Sequence, residues 1–428
     1  MLRKEFLNPD LKSSFRIGSK SFTRNRKLSF STLLILIFQK SVKSLQLKLN
    51  EYFLVDTNDS GVTAGAYTQA RAKLDHEVFI KLNRKVYTNY WYNDGDYEKY
   101  KGHRLLAIDG SNIRLPNNSQ IKDEFGSIPI NNGSNTGDYS GGRASVIYDV
   151  LNELVLDSSL ASSNVSELSL ALEHLEFCQK NDLVLLDRGY PSYRLFTTLY
   201  QKNLDFVCRC SRVAFREVKK FLKQKDVFDI EVTLTPRNGL RKQAKKEGFH
   251  VSNSITLRLV KVVLPKGEIE ILATSLLDKS KYPLEDFKHL YNMRWGVETF
   301  FERLKGRLAL ENFTGKTVEA VKQDFYSTIL VTNVESEIAG PINLELQQYP
   351  ADTKYKYKVN KAVSFNAIKN HVVELMLCHE LDFEELVERL QKVFRKNTVP
   401  IRPNRSFTRK RSTRKTLHFQ RGAKKMVY

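Results

Sequence analysis

Apolar positions recur at helical spacing through the first part of the chain, at Leu33–Phe38, Val42–Leu49 and Val78–Tyr90, with basic residues between the runs. This pattern predicts a helical region over residues 1–95. Within it, Val62–Leu74 places small residues near a turn and polar and basic positions after it. The stretch fits a plain helical hairpin, which the spacing alone favours. It also fits a helix-turn-helix that would turn Gln69, Arg71 and Lys73 to DNA. From His103 the pattern shifts to short continuous apolar runs. Leu105–Ile108 leads straight into Asp109-Gly110, which reads as a buried strand meeting a turn. Asn131–Gly142, rich in Gly, Asn and Ser, reads as a mobile loop. Ala144–Val150 and Glu153–Leu160 flank a Leu151-Asn152 turn as a hairpin, and Ser166 is placed to cap an amphipathic helix running to Gln179. Leu183–Leu186 is apolar throughout, as in a strand covered on both faces, and ends in Asp187-Arg188-Gly189-Tyr190. A helix over Pro191–Lys202 and a strand over Leu204–Cys210 complete a mixed α/β layer.

Residues 212–280 differ. The β-like runs Ile230–Thr235, Ser254–Val263 and Glu268–Thr274 surround a basic loop from Arg237 to Lys246, which predicts a β-rich insertion. Tyr291–Lys305 then reads as one helix, with Gly296 its only glycine and no proline. At about 100° per residue, Tyr291, Arg294, Glu298 and Lys305 fall on one narrow polar arc. Val297, Phe300, Phe301, Leu304 and Leu308 form the adjacent apolar stripe. A solvated face of weak ion pairs, Arg294 with Glu298 and Glu302 with Lys305, would give the same arc. Helices are expected over Val318–Glu337 and Phe365–Arg395. Pro400–Tyr428 carries ten Lys or Arg and no acid, the composition of a phosphate-seeking tail.

Composition narrows the partner. At 428 residues the chain is long enough for two or three domains, and a formal charge of +21 calls for a polyanion, most often nucleic acid. The four cysteines show no C-x-x-C pair and are expected to be reduced thiols. Leu33–Phe38 is far shorter than the roughly 20 residues of a membrane span, and the amino terminus lacks signal-peptide character. A cytoplasmic protein associated with the nucleoid, with no membrane partner, is the expectation. No phosphate-binding glycine fingerprint is present.

Carboxylates that close buried strands are costly unless something compensates them, and a divalent cation is one such partner. Asp109, Asp187 and Glu298 supply three oxygen-only ligands from two strands and one helix. Such a set suits two Mg²⁺ or Mn²⁺ ions about 3.5–4 Å apart, which can activate a water or 3′-hydroxyl and stabilise a leaving oxygen. Arg294 and Lys305 would hold phosphates of a DNA end, with Tyr291 hydrogen-bonding one.

These residues carry a resemblance. Tyr291, Arg294, Glu298 and Lys305 match the Y-(2)-R-(3)-E-(6)-K signature, and Asp109 in Ile-Asp-Gly-Ser and Asp187 in Leu-Leu-Asp-Arg-Gly-Tyr match the first and second acids, of bacterial insertion-sequence transposases of the DDE type, the IS-four group. The similarity runs from about residue 60 to 335. It implies an α/β, ribonuclease-H-like catalytic domain interrupted by a β-rich insertion, with helical N-terminal and C-terminal regions. The corresponding boundaries are a helical DNA-binding region (1–95), the first part of the catalytic core (96–211), the insertion (212–280), the second part with the glutamate helix (281–340), a helical C-terminal region (341–399) and the basic tail (400–428). The resemblance further implies cleavage at terminal inverted repeats, transfer of the freed 3′ ends to target DNA, and a homodimer on double-stranded DNA. In such relatives an insertion aromatic stacks on a flipped base while a DNA hairpin forms. No tryptophan lies in 212–280, which leaves Phe228 or Phe249 for that role, and Trp295 is expected to pack its helix. The alternative function is a catalytically inactive, transposase-derived DNA-binding protein. Deleting residues 401–428 should weaken non-specific DNA binding and flatten its dependence on salt; a filter-binding series over salt concentration with an unchanged slope would assign the tail elsewhere.

Overall fold

A computed structural model describes residues 1–40, 44–53, 61–93, 95–132, 135–264, 267–348, 354–377 and 380–402. Its centre is one mixed sheet of nine strands. These are β1 (Leu105–Arg114), β2 (Ser127–Asn132), β3 (Asn135–Asp149), β4 (Leu154–Ser162), β5 (Leu183–Leu186), β6 (Asp205–Cys210), β7 (Asp229–Leu234), β8 (Ile255–Val263) and β9 (Ile269–Thr274). Across the sheet the order is β4-β3-β1-β5-β6-β9-β8-β7, with β2 beside the first half of β3. β1, β5 and β6 run parallel, and every other pair is antiparallel. Leu105–Ile108, Leu183–Leu186 and Phe206–Cys208 are fully buried, as parallel strands covered on both faces must be. The three strands within residues 212–280 continue this sheet, because β9 pairs with β6.

Three local expectations are corrected. Asp109-Gly110 is no turn: β1 runs on to Arg114, paired with β3 along its length. Within Asn131–Gly142, the described residues are strand, not loop. The glycines there serve close approach: a Cβ on Gly141 would lie 2.4 Å from Ile128 Cδ1, and one on Gly142 would lie 3.0 Å from the Ala161 carbonyl oxygen. The basic loop is a helix, Asn238–Glu247, closed by Gly248 at φ 72°. Its Lys, Arg, Gln and Ala residues are good helix formers, and that propensity outweighed the charge run.

The long helix Val318–Gln348 is the spine on which the N-terminal and C-terminal helices assemble. Phe30–Phe38, the apolar run too short for a membrane, is a core helix, and no helix among the described residues is long and apolar enough to cross a membrane. Arg71, a candidate for DNA contact, is only 4% exposed. Its guanidinium meets Asp324 at 2.9 Å and donates to Gln323, Thr314 and the Ala320 carbonyl. Four acceptors satisfy the buried charge, so Arg71 fastens the helix Ala64–Arg71 to the spine. Gln69 and Lys73 are exposed. Expected over Phe365–Arg395, the C-terminal helices are Lys361–Leu377 and Glu380–Lys396. Of the basic tail, residues 403–428 lie outside the described residues. Arg71→Met should destabilise the fold by about 3–5 kcal/mol, because it strands the buried Asp324 carboxylate. Urea unfolding that shifts by less than a third of that would mean the pair is dispensable.

Candidate active site

The end of the parallel strands sets the geometry. β1 and β5 are in register at Leu105–Leu183, Leu106–Val184 and Ala107–Leu185. Asp109 and Asp187 each lie two residues beyond the last of these pairs, so the register brings the two acids side by side. Both are partly exposed. Each carboxylate accepts from a neighbouring glycine amide, Asp109 from Gly110 at 2.9 Å and Asp187 from Gly189 at 2.5 Å. Burial pushes the Asp109 carboxyl up to about 6, with Asp187 and Glu298 adding to the rise and the Gly110 amide and Arg294 opposing it. Asp109 therefore feels both other predicted acids and the arginine.

The helix that carries Glu298 is two helices, Asp286–Asn292 and Trp295–Gly306, joined by a tightened turn at Met293-Arg294. Amides there reach back three residues: Arg294 to Tyr291, Gly296 to Met293 and Val297 to Arg294. Val297, Phe300, Phe301, Leu304 and Leu308 are buried, and Phe300 stacks on Tyr148 of β3 at 4.8 Å. The polar arc is not a solvated face, since Tyr291 and Arg294 are 5% and 4% exposed. Arg294 donates to Glu298 at 2.6 Å. Lys305 reaches β1, donating to Ser111 Oγ at 2.7 Å and the Asn112 carbonyl at 2.8 Å. The structure thus gathers Tyr291, Arg294 and Glu298 with Asp109 and Asp187, and sets Lys305 a few residues further along β1.

Trp295 is not packed as expected. It is 51% exposed, with the Arg294 guanidinium 5.5 Å from its ring. Phe228 is 38% exposed, and Phe249 is covered by the Arg194 guanidinium at 3.9 Å.

Two buried donors at the site have no hydrogen-bond partner, the Tyr291 hydroxyl and Arg294 Nε. A buried donor left unpaired by the protein is open to a water, an ion or a ligand oxygen. Together with an all-oxygen set of acids, they fit a site built for hard cations and phosphate oxygens. Asp109, Asp187 and Glu298 are the residues that would hold such ions. Among the described residues, the group of three metal-type ligands whose atoms all lie within 4.8 Å is Asp75, His76 and Glu319, at the junction of the N-terminal region with the spine. The three predicted acids are spread more widely, with Glu298 drawn to Arg294.

The sequence reading missed a supporting network. His174 is fully buried, its Nδ1 2.9 Å from Asp157 Oδ2 and its Nε2 3.0 Å from Ser145 Oγ. Arg84 holds the other side of Asp157 at 2.9 Å. The order serine, histidine, aspartate suggests a hydrolase triad, but Ser145 and His174 have no exposed surface for a substrate. The network instead fixes β3, β4 and the helix Glu167–His174 next to Asp109, whose partner across the sheet is Val146. Only the spatial pairing reveals it, as the three residues are separated in sequence.

Comparisons with known proteins bear on the family of the chain. Residues 100–334 match the family model described as "Transposase DDE domain". The transposase InsG for insertion sequence element IS4 of Escherichia coli (strain K12) is 24% identical over 340 residues, covering 77% of this chain and 74% of that protein. A solved piggyBac transposase synaptic complex with hairpin DNA is similar at a TM-score of 0.45 and 10% identity, covering 91% of this chain and 84% of that one.

The raised Asp109 carboxyl makes the cation-free fold sensitive to pH. A carboxyl whose folded value lies above its ordinary 3.8 favours the folded chain while it is protonated. That contribution is complete below about pH 4 and is lost as pH rises through about 6. In the absence of divalent cations, Asp109→Asn should therefore be more stable than wild type by about 1–2 kcal/mol at pH 7.5, and the difference should vanish near pH 4. Denaturant unfolding at the two pH values reads this directly, and equal stabilities at pH 7.5 would refute it.

Proposed function

The chain belongs to the family of transposases that carry the DDE domain, and from that premise we propose that it cuts DNA at the terminal inverted repeats of its own insertion sequence and joins the freed 3′ ends to target DNA. The observation that carries this reading is the meeting of Asp109 and Asp187 in register near the partly exposed Glu298 and the buried Tyr291 and Arg294, whose donors are unsatisfied. Asp109, Asp187 and Glu298 would hold two Mg²⁺ or Mn²⁺ ions, which would supply activation of a water or 3′-hydroxyl and neutralisation of the leaving oxygen.

The chain's own groups do the rest. Arg294 orients Glu298 through their 2.6 Å contact, while its buried Nε has no partner within the protein and is the donor a phosphate oxygen would complete. The Tyr291 hydroxyl stays protonated, its pKa raised by burial, and so acts as a hydrogen-bond donor to phosphate. Lys305 supplies positive charge along β1 beyond Asp109, where the strand continues past its parallel neighbour.

Further from the chemistry, Lys20, Arg24, Arg26, Lys27, Gln69 and Lys73 line a groove in the N-terminal helices. Among the described residues no acid lines it, which suits contact with the DNA backbone and supports a DNA-binding role for residues 1–95. The strands β4-β3-β1-β5-β6 support a ribonuclease-H-like reading of the core, three antiparallel neighbours followed by two parallel ones.

A DNA fragment carrying this gene with its native flanks should be cut at the element borders in Mg²⁺. Asp109→Asn, Asp187→Asn and Glu298→Gln should each reduce cutting on the order of a hundredfold or more, with binding to the ends retained. Specific binding without any cut by the wild-type chain, in Mg²⁺ or Mn²⁺, would instead establish an inactive DNA-binding derivative.

A further inference from the structure

Glu167 opens the helix Glu167–His174, with Ser166 as its cap. An acid in the first turn of a helix is ordinarily explained by the helix dipole alone. Here the surroundings say more. A Cβ placed on Gly110, the neighbour of Asp109, would lie 3.4 Å from Glu167 Cγ and 3.6 Å from its Cδ. A Cβ placed on Gly189, two residues after Asp187, would lie 3.0 Å from Asp187 Oδ1 and 3.8 Å from Glu167 Oε2. Oxygens of Asp187 and Glu167 thus both lie within 4 Å of a single point. The Glu167 side chain therefore lies beside the backbone of both strand ends.

A second, independent feature marks the same place. Tyr190 is 1% exposed and its hydroxyl has no hydrogen-bond partner. That phenol is held protonated by burial and by the nearby charges of Asp109, Glu167 and Asp187, with Arg143 opposing them. It is a buried donor set among carboxylates, completed by none of them, as expected where something else accepts from it. Arg143 stands 3.8 Å from Glu167 and donates to the Val165 carbonyl, so it steadies the turn ahead of the helix. The Ser145–His174–Asp157 network pins the far end of the same helix. Glu167 is therefore aimed at the acids from a fixed element, while its side chain stays 45% exposed.

We propose that Glu167 is a fourth carboxylate of the divalent-cation site, holding an ion together with Asp187. The inference rests on the cation-holding role given above to Asp109, Asp187 and Glu298. It assigns to this chain an acid outside the three of its family's name. Tyr190 is a positioning residue in this arrangement, its hydroxyl orienting an oxygen of the filled site.

Mn²⁺ titration of the full chain, following the spectrum of free Mn²⁺ by electron paramagnetic resonance, tests the assignment without any cleavage. Glu167→Gln should lose one bound ion or weaken its binding at least about tenfold, while circular dichroism and melting in the absence of cations stay those of wild type. Glu173→Gln removes the same charge from an exposed position of the same helix and should leave the titration unchanged. Wild-type stoichiometry and affinity in Glu167→Gln would overturn the proposal, and so would equal weakening by Glu173→Gln, which would reduce the effect to general charge. Asp187→Asn separates the two levels. If it loses binding while Glu167→Gln does not, only the fourth carboxylate fails. If wild type binds no Mn²⁺, the cation-holding role of the three acids fails with it.

Discussion

Asp109 and Asp187 are held side by side by strand register, where burial works against the charge of Asp109. Neither can swing away, because β1 is paired on both sides up to Ala107 and each carboxylate is tied to a local amide. The raised Asp109 carboxyl is the direct trace of that confinement. Much of the surrounding structure answers it. Arg294 is buried nearby and bound to Glu298 rather than extended into solvent, and the tightened turn at Met293-Arg294 is what sets it there. A continuous helix would have kept the polar arc on its edge, as the sequence periodicity drew it.

Such an arrangement needs a stiff support, and the support is polar. On the glutamate helix, Arg303 meets Glu153 at 2.8 Å. Lys361 bridges Glu153 at 2.6 Å and the fully buried Glu335 of the spine at 2.7 Å. Glu153 is held well below the usual carboxylate range by these two cations, in spite of its burial. Asn83 and Asn333 join a third element, both donating to the Val155 carbonyl of β4. Buried ionic and amide pairs of this kind add little net stability, yet removing one member is costly. They fix how the N-terminal helices, the sheet and the glutamate helix sit relative to the spine.

Much of this was legible in the sequence, and the failures share a cause. The apolar runs at Leu105–Ile108 and Leu183–Leu186, the Ser166 cap and the buried stripe from Val297 to Leu308 are local patterns, and the structure has them. Asp109 was seen as the end of a strand because Asp-Gly is a turn pair, but β3 supplies pairing that the sequence cannot display. Gly141 and Gly142 looked like loop residues for the same reason; their role is to let Ile128 and β4 approach. Arg71 looked like a DNA contact because its partner, Asp324, lies far away in the chain. Glu167 was invisible as a site residue, since a first-turn glutamate is ordinary until its side chain is seen beside Gly110 and Gly189, next to the two acids.

The charge of the whole chain and the charge of its site have opposite signs, and this opposition bears on how DNA is handled. A formal +21 raises the local concentration of a polyanion over the surface and speeds its encounter. In the proposed reading the same polyanion would meet Asp109, Asp187 and Glu298 at short range, where burial, with the other two acids adding to it, pushes the Asp109 carboxyl up to about 6. A phosphate brought beside them adds to the repulsion. Arg294 and Lys305 offset part of it, but Arg294 is engaged with Glu298 and Lys305 with β1. In that reading positive charge from outside the chain would offset the rest, and hard cations held by oxygen ligands are the form that suits both the acids and the phosphate.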